Sequence, residues 1–208
     1  DLFGEIRQGR IGEGLCILRD TSSASAWVRW LARRLLRREA TALCALEGID
    51  GIPQLVAVDS DRLTRSFLRG TPMQRARPGD RAYFAAAFRL LRQLHRHGVV
   101  HNDLAKEPNL LVREDGSPAF IDFQLAWHAR RRGRLFRLLA YEDLRHLLKH
   151  KRSYCPQHLT QRERNILANP SRASRTYMTT VKPVYMFITR RLFGWEDREG
   201  AADRGERH

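Results

Sequence analysis

Lysine is almost absent from this chain of 208 residues. Four of its 38 cationic side chains are lysine, at positions 106, 149, 151 and 182, so any cationic chemistry before residue 106 falls to arginine. Cysteine is scarce as well: Cys16, Cys44 and Cys155 are odd in number and lack metal-ligand spacing, which excludes a disulfide framework and a zinc site as readings and fits a reducing cytoplasm. No run of about 18 uncharged apolar residues exists, and the N-terminus has no signal-peptide pattern, so a cytoplasmic location is expected. Acidic residues are few, 23 against 38 cations, which gives a formal charge of +15. A balance of that sign calls for an anionic partner: nucleic acid, a membrane surface or a phosphorylated ligand. With 42% hydrophobic and 29% charged residues the composition excludes disordered, collagenous and fibrous classes. The length fits one domain, or one domain built as two small lobes, able to bury roughly 70% of its unfolded surface.

Residues 1–20 contain Gly4, Gly9, Gly12 and Gly14 before the apolar run Leu15 to Leu18, a pattern that predicts a hairpin. From about Ala24 to Glu47 the spacing is helical, with Val28, Leu31, Leu35, Ala42, Leu43 and Leu46 on one side and Arg33, Arg34, Arg37 and Arg38 mostly elsewhere. Glu39 falls on or beside that apolar stripe, and a carboxylate there needs a cation. GIPQLVAV and LTRSFLRG read as two strands around Asp59 to Arg62, and residues 70–79 as a connector at the lobe boundary. Asp80 caps a second predicted helix running to about His97, with Gly98 as its stop. Beyond Phe123 the chain is Arg-rich, then helical through about Lys149. The basic amphipathic segment 184–195 reads as a docked C-terminal helix, and the end from Glu196 as frayed. Trp27, Trp30 and Trp127 read as core or lobe-interface aromatics. Arg130, Arg131, Arg132, Arg134 and Arg137 form either a solvated basic face or a phosphate-binding one.

The stretch Asn109 to Asp122 is the most informative. Two short apolar runs flank Asp115-Gly116, a two-residue turn signal, and in an undistorted two-residue hairpin Asn109 and Asp122 face one another. Their side chains would then start about 5 Å apart and offer oxygen ligands suited to Mg²⁺. The same spacing also fits a surface hairpin with polar ends. Just upstream, His101 and Asp103 bring a second carboxylate, able to orient a hydroxyl and accept its proton, and Lys106 adds a point cation near a transferred group.

The segment HNDLAKEPNLL followed by IDF resembles the catalytic loop and metal-binding segment of the protein kinase superfamily. It is most similar to compact atypical bacterial members near the RIO kinases and the lipopolysaccharide-core sugar kinases. LLRQLHRHGVVHND resembles the helix leading into that loop, SFLRG the hinge, and Glu39 in RREATAL the helix glutamate that pairs with a nucleotide-holding lysine. The likeness extends over roughly residues 9 to 126.

This resemblance implies an α+β, two-lobed fold: a single kinase-like domain with a reduced N-terminal lobe over 1–70 and a mostly helical lobe over 71–208. It implies that Asp103 is the catalytic base, that His101 braces the loop, that Asn109 and Asp122 hold Mg²⁺, and that Glu39 pairs with a cation over the ATP phosphates. With no lysine available, Arg19 is the substitute cation, and Gly12 and Gly14 would cover phosphates through backbone N–H groups. The sequence departs from the pattern in three ways: five residues rather than four separate Asp103 from Asn109, Gln124 replaces the glycine of DFG, and no APE-like sequence follows. The implied function is ATP- and Mg²⁺-dependent phosphate transfer to a protein Ser/Thr hydroxyl. The alternatives are a lipopolysaccharide or other sugar acceptor at the inner membrane face, with peripheral contact to anionic lipid, or a nucleotide-binding pseudokinase acting through a partner. Nucleic acid rests on charge alone and is not an expected partner.

Overall fold

The computed structural model describes residues 5–168 except Glu13 and Ser23; the segment 184–195, the Ser/Thr stretch 171–180 and the end from Glu196 lie outside the described residues. Strands β1 (Glu5–Ile11) and β2 (Gly14–Asp20) form the glycine-turned hairpin expected near the N-terminus. β3 (Leu55–Val58) and β4 (Arg62–Ser66) form a second, whose turn is held by the Asp59 carboxylate accepting the N–H groups of Asp61 and Arg62 at 2.9 and 2.8 Å. The sheet order is β1-β2-β4-β3, all antiparallel, with Ile17 opposite Arg65 and Arg19 opposite Leu63.

Helix α1 (Ala26–Ala45) buries a stripe of Val28, Ala32, Leu36, Leu43 and Leu46, each at most 1% exposed. Leu36 takes the inward place expected of Leu35, because it lies one turn beyond Ala32 and two beyond Val28. Glu39, three residues after Leu36 and four before Leu43, is on that stripe and 2% exposed. The region expected to be a connector holds β5 (Thr71–Pro72) and the short helix α2 (Met73–Ala76). Met73 is fully buried and anchors this segment, so packing converts a Pro- and Gly-bearing stretch into ordered structure. The four-stranded sheet and α1 lie before Gly70; the other sheets lie after it.

Helix α3 (Arg81–Arg96) begins at Asp80, whose carboxylate accepts the Ala82 N–H at 2.9 Å, and buries Phe84, Ala87, Leu91 and Leu94. It stops at Gly98, where φ is +72° and an added Cβ would stand 2.7 Å from the Ala129 carbonyl oxygen. That close approach lets β6 (Val99–Val100) pair with β9 (Trp127–His128). One core joins the C-terminal half of α1 to α3, Leu104, Leu110, Phe120 and Phe123.

The hairpin of β7 (Leu110–Val112) and β8 (Pro118–Phe120) corrects the expected register. Leu110 faces Phe120 and Val112 faces Pro118, which puts Asn109 opposite Ile121 rather than Asp122. The loop is one residue longer than a two-residue turn: the Gly116 N–H bonds to the Arg113 carbonyl oxygen, Arg113 N–H to that of Ser117, and Gly116 takes φ +77°. This is a type I turn closed by a left-handed glycine, and it shifts every pair by one. The Ile121 N–H still donates to the Asn109 carbonyl oxygen at 3.0 Å, after which Asp122 turns out of the strand with φ +65° and ψ +71°.

Helices α4 (Arg134–Tyr154) and α5 (Gln161–Ala168) complete the described chain. Among the described residues no helix is long and apolar enough to cross a membrane. His146 on α4 is held down to about 4, first by burial and then by Lys149, with Asp143 and Glu142 pulling the other way. Above pH 6.5 the imidazole is neutral whether the chain is folded or unfolded. As pH falls from 6.5 towards 4 the unfolded chain gains a proton that the folded chain refuses, so stability falls, by at most about 1.4 kcal/mol per pH unit. Urea midpoints at pH 7 and pH 5 should therefore differ more in the parent than in His146→Gln; equal differences would remove His146 as the cause.

Candidate active site

The loop from His101 to Asn109 is fastened to α4 at four points. The Asp143 carboxylate, 1% exposed, accepts the His101 N–H at 2.7 Å and the Asn102 N–H at 2.9 Å, one on each oxygen. Farther along, His150 Nε2 bonds to the Leu104 carbonyl oxygen at 2.8 Å, and the Tyr154 hydroxyl donates to Glu107 Oε2 at 2.7 Å. The last two contacts hold the five-residue segment between Asp103 and Asn109, so the loop, one residue longer than the pattern, is seated on α4. Asn102 sits at φ +63°, and its side-chain amide donates to the Leu125 carbonyl oxygen at 3.0 Å, tying the loop to the segment after Asp122.

Within the loop, Asn109 Nδ2 donates to Asp103 Oδ2 at 2.9 Å and to its carbonyl oxygen at 3.0 Å. Lys106 Nζ lies 3.1 Å from the same Asp103 carboxylate, with about half of its side chain exposed. His101 Nε2 donates to the Ile121 carbonyl oxygen at 3.0 Å, so its Nδ1 is free to accept the Asp103 N–H at 3.3 Å. The His101 ring also packs 4.6 Å from the Phe123 ring. Burial pushes the Asp103 carboxyl up; Lys106 and His101 oppose this, and the Asp122 charge adds to it.

The Asp122 charge also raises Glu39, so Asp122 lies within electrostatic reach of both carboxylates. Burial is the largest cause at Glu39, offset by Arg65 and Arg19. Arg19 Nη1 stands 3.4 Å from Glu39 Oε2, and Arg65 Nε stands 3.2 Å from Oε1. These two arginines come from adjacent strands on one face of the sheet, and each takes one oxygen. Asp122 itself has a buried Oδ1 with no hydrogen-bond partner. Leaving a carboxylate oxygen dry and unpaired is costly, so the atom calls for a cation. A hard ion that takes few protein oxygens and keeps water or phosphate around the rest, as Mg²⁺ does, fits that atom. Among the described residues no group of three or more His, Cys, Asp or Glu is placed to hold a metal ion.

The structure thus brings together His101, Asp103, Lys106 and Asn109, and separately Arg19 and Glu39, with Asp122 between the two groups. It does not bring Gly12 and Gly14 to them. Gly14 begins β2 and Gly12 lies in the turn before it, whereas Arg19 is near the strand's other end, roughly 17 Å from Gly14 at about 3.3 Å per residue. Sequence reasoning missed Arg65, Asp143, His150 and Tyr154. Asp143 could have been found as Glu39 was, since it interrupts the apolar stripe of Phe136, Ala140 and Leu147 on α4.

Comparison with known proteins adds three findings. A RIO domain family model matches residues 18–164. A protein named probable SapB synthase, from Streptomyces coelicolor, is 31% identical over 123 residues, which are 48% of this chain and 13% of the relative. The crystal structure of the Rio2 kinase from Chaetomium thermophilum superposes with a TM-score of 0.59 at 15% identity, covering 84% of this chain and 63% of that one. The chain therefore spans less than two thirds of either relative.

Proposed function

The chain belongs to the RIO-domain family, with its two-lobed kinase-like fold, and from that premise we propose that it is an ATP- and Mg²⁺-dependent phosphotransferase acting on a hydroxyl group. The observation that carries this reading is the unpartnered buried oxygen of Asp122 between the Asp103–Asn109 pair and the Arg19–Glu39–Arg65 group. Asp122 and Asn109 would hold Mg²⁺, which would supply positive charge against the phosphate groups. Asp103 accepts the proton of the attacking hydroxyl. His101 keeps the Asp103 backbone in place through its Nδ1. Lys106 supplies positive charge beside the base, and Arg19, oriented by Glu39, holds phosphate oxygens where related sites use lysine. A protein Ser/Thr hydroxyl is the first acceptor class and a sugar or glycolipid hydroxyl the second. The site is proposed to work in the cytoplasm.

The test is the melting shift produced by ATP, with Mg²⁺ or with EDTA. At 100 times its Kd a ligand adds about 2.7 kcal/mol, or roughly 5 to 10 °C for a chain of this size. The shift should require Mg²⁺ and vanish in Asp122→Ala; a shift of equal size in EDTA or in the variant overturns the reading. The replacement of lysine by Arg19 favours one other reading, a pseudokinase, which would show the same shift without any release of ADP.

A further inference from the structure

Helix α1 has a second charged face, turned away from Glu39. Trp30, Arg34, Arg37 and Arg38 form one wall of a cavity of about 550 Å³, and Trp127 and His128 of β9 form the other. Arg33 at its edge is paired with Asp61 through bonds of 2.6 and 2.8 Å. Arg34, Arg37 and Arg38 have no carboxylate partner among the described residues, and no acidic side chain lines the cavity. Arg34 and Arg38 are like charges four apart on a helix, an arrangement that destabilises it. The chain leaving the cavity cannot relieve this charge. Residues 123–133, FQLAWHARRRG, contain no Asp or Glu, and no Ser, Thr or Tyr that could carry phosphate; they add three further arginines.

The aromatic residues divide the work. Trp127 is half-buried against Val100, Ala129 and Phe136, so it is a fixed wall. Trp30, expected in the core or at a lobe interface, is instead 64% exposed and offers an uncovered apolar face beside the guanidinium groups. A volume of this size is that of a small-ligand site, and three guanidinium groups without a carboxylate partner among the described residues call for more negative charge than a monoanion brings. Guanidinium matches phosphate oxygens in pairs, which makes phosphate groups the fitting anion.

We propose that the cavity between α1 and β9 is a binding site for a compact anion bearing two or more phosphate groups, separate from the Asp103–Asp122 centre. Such groups are found both on lipid headgroups and on free phosphorylated molecules. Because α1 carries Glu39 and β9 follows Asp122 by five residues, the ligand would bridge the helix that presents one carboxylate and the strand that lies just beyond the other.

The probes are sodium tripolyphosphate in EDTA, followed by calorimetry and tryptophan fluorescence, and phosphatidylcholine vesicles with 5 mol % phosphatidylinositol 4,5-bisphosphate, followed by sedimentation. Saturable binding of either probe that weakens at least 30-fold in Arg34→Gln/Arg38→Gln supports the site; vesicles alone identify a headgroup, tripolyphosphate alone a free ligand. The double variant removes repelling charges from an exposed face, so it should melt no lower than the parent and should keep the ATP–Mg²⁺ shift. That retained shift separates failure of this site from failure of the phosphotransferase reading. The proposal is overturned if neither probe binds or if the double variant binds equally well. It also fails if a 12-nucleotide single strand binds 100-fold more tightly than tripolyphosphate, which would mark a nucleic-acid surface.

Discussion

Replacing Asp103 with asparagine is expected to lower ADP release by about 10² to 10⁴, the usual contribution of a positioned general base, while the Mg²⁺-dependent ATP melting shift persists. Asparagine keeps the shape of the side chain and an oxygen for the Asn109 amide, which now donates to Asp103 Oδ2 at 2.9 Å, but it cannot take a proton from a hydroxyl. The pH dependence gives a second reading of the same group. Burial raises the Asp103 carboxyl, and the base works only when ionised, so kcat/KM should climb with pH at values above the usual carboxylate range. Lys106, 3.1 Å away, opposes that rise. Lys106→Met should therefore move the acidic limb to higher pH. A limb that stays in place, or an Asp103→Asn chain as active as the parent, would remove Asp103 from the base role.

Asp143→Ala should cost about 2 to 5 kcal/mol of stability, read as a lower urea midpoint at unchanged slope. The carboxylate is 1% exposed and its two oxygens accept separate backbone N–H groups, those of His101 and Asn102. Truncation leaves both donors buried without an acceptor, and each orphan costs about 1 to 3 kcal/mol. Asn102 also sits in a left-handed conformation at φ +63°, which the surrounding contacts must hold. Asp143→Asn, retaining one acceptor, should fall between parent and alanine variant. A loss under about 1 kcal/mol in Asp143→Ala would mean that the loop is held by its other fastenings, at Leu104 and Glu107.

Several features of the site were legible because they are local. HNDLAKEPNLL and IDF are contiguous, Glu39 is visible as a charge on an apolar helical stripe, and Arg19 is the cation at the end of an apolar strand in a lysine-free region. The Asn109–Asp122 pairing was not legible, since it depended on whether Asp115-Gly116 closes a two- or three-residue loop. The observed three-residue loop puts Ile121 opposite Asn109, and the left-handed backbone at Asp122 sets that carboxylate apart from the strand. Arg65 was hidden for a different reason: it lies in an ordinary strand 26 residues from Glu39, and only the β2-β4 pairing sets it beside Arg19.

By itself the sequence determined the main helices and hairpins outside residues 70–79, the acidic and amide residues of the loop, and the reliance on arginine in place of lysine. These rest on periodicity, turn chemistry and composition, which act between near neighbours. The tertiary structure alone decided the hairpin register, the double-arginine hold on Glu39, the fastening of the loop by Asp143 and the cationic cavity behind α1. Each of these joins residues far apart in the chain, and their meeting depends on which strands pair and which helix faces pack, a choice made by burial of the whole core rather than by any local pattern.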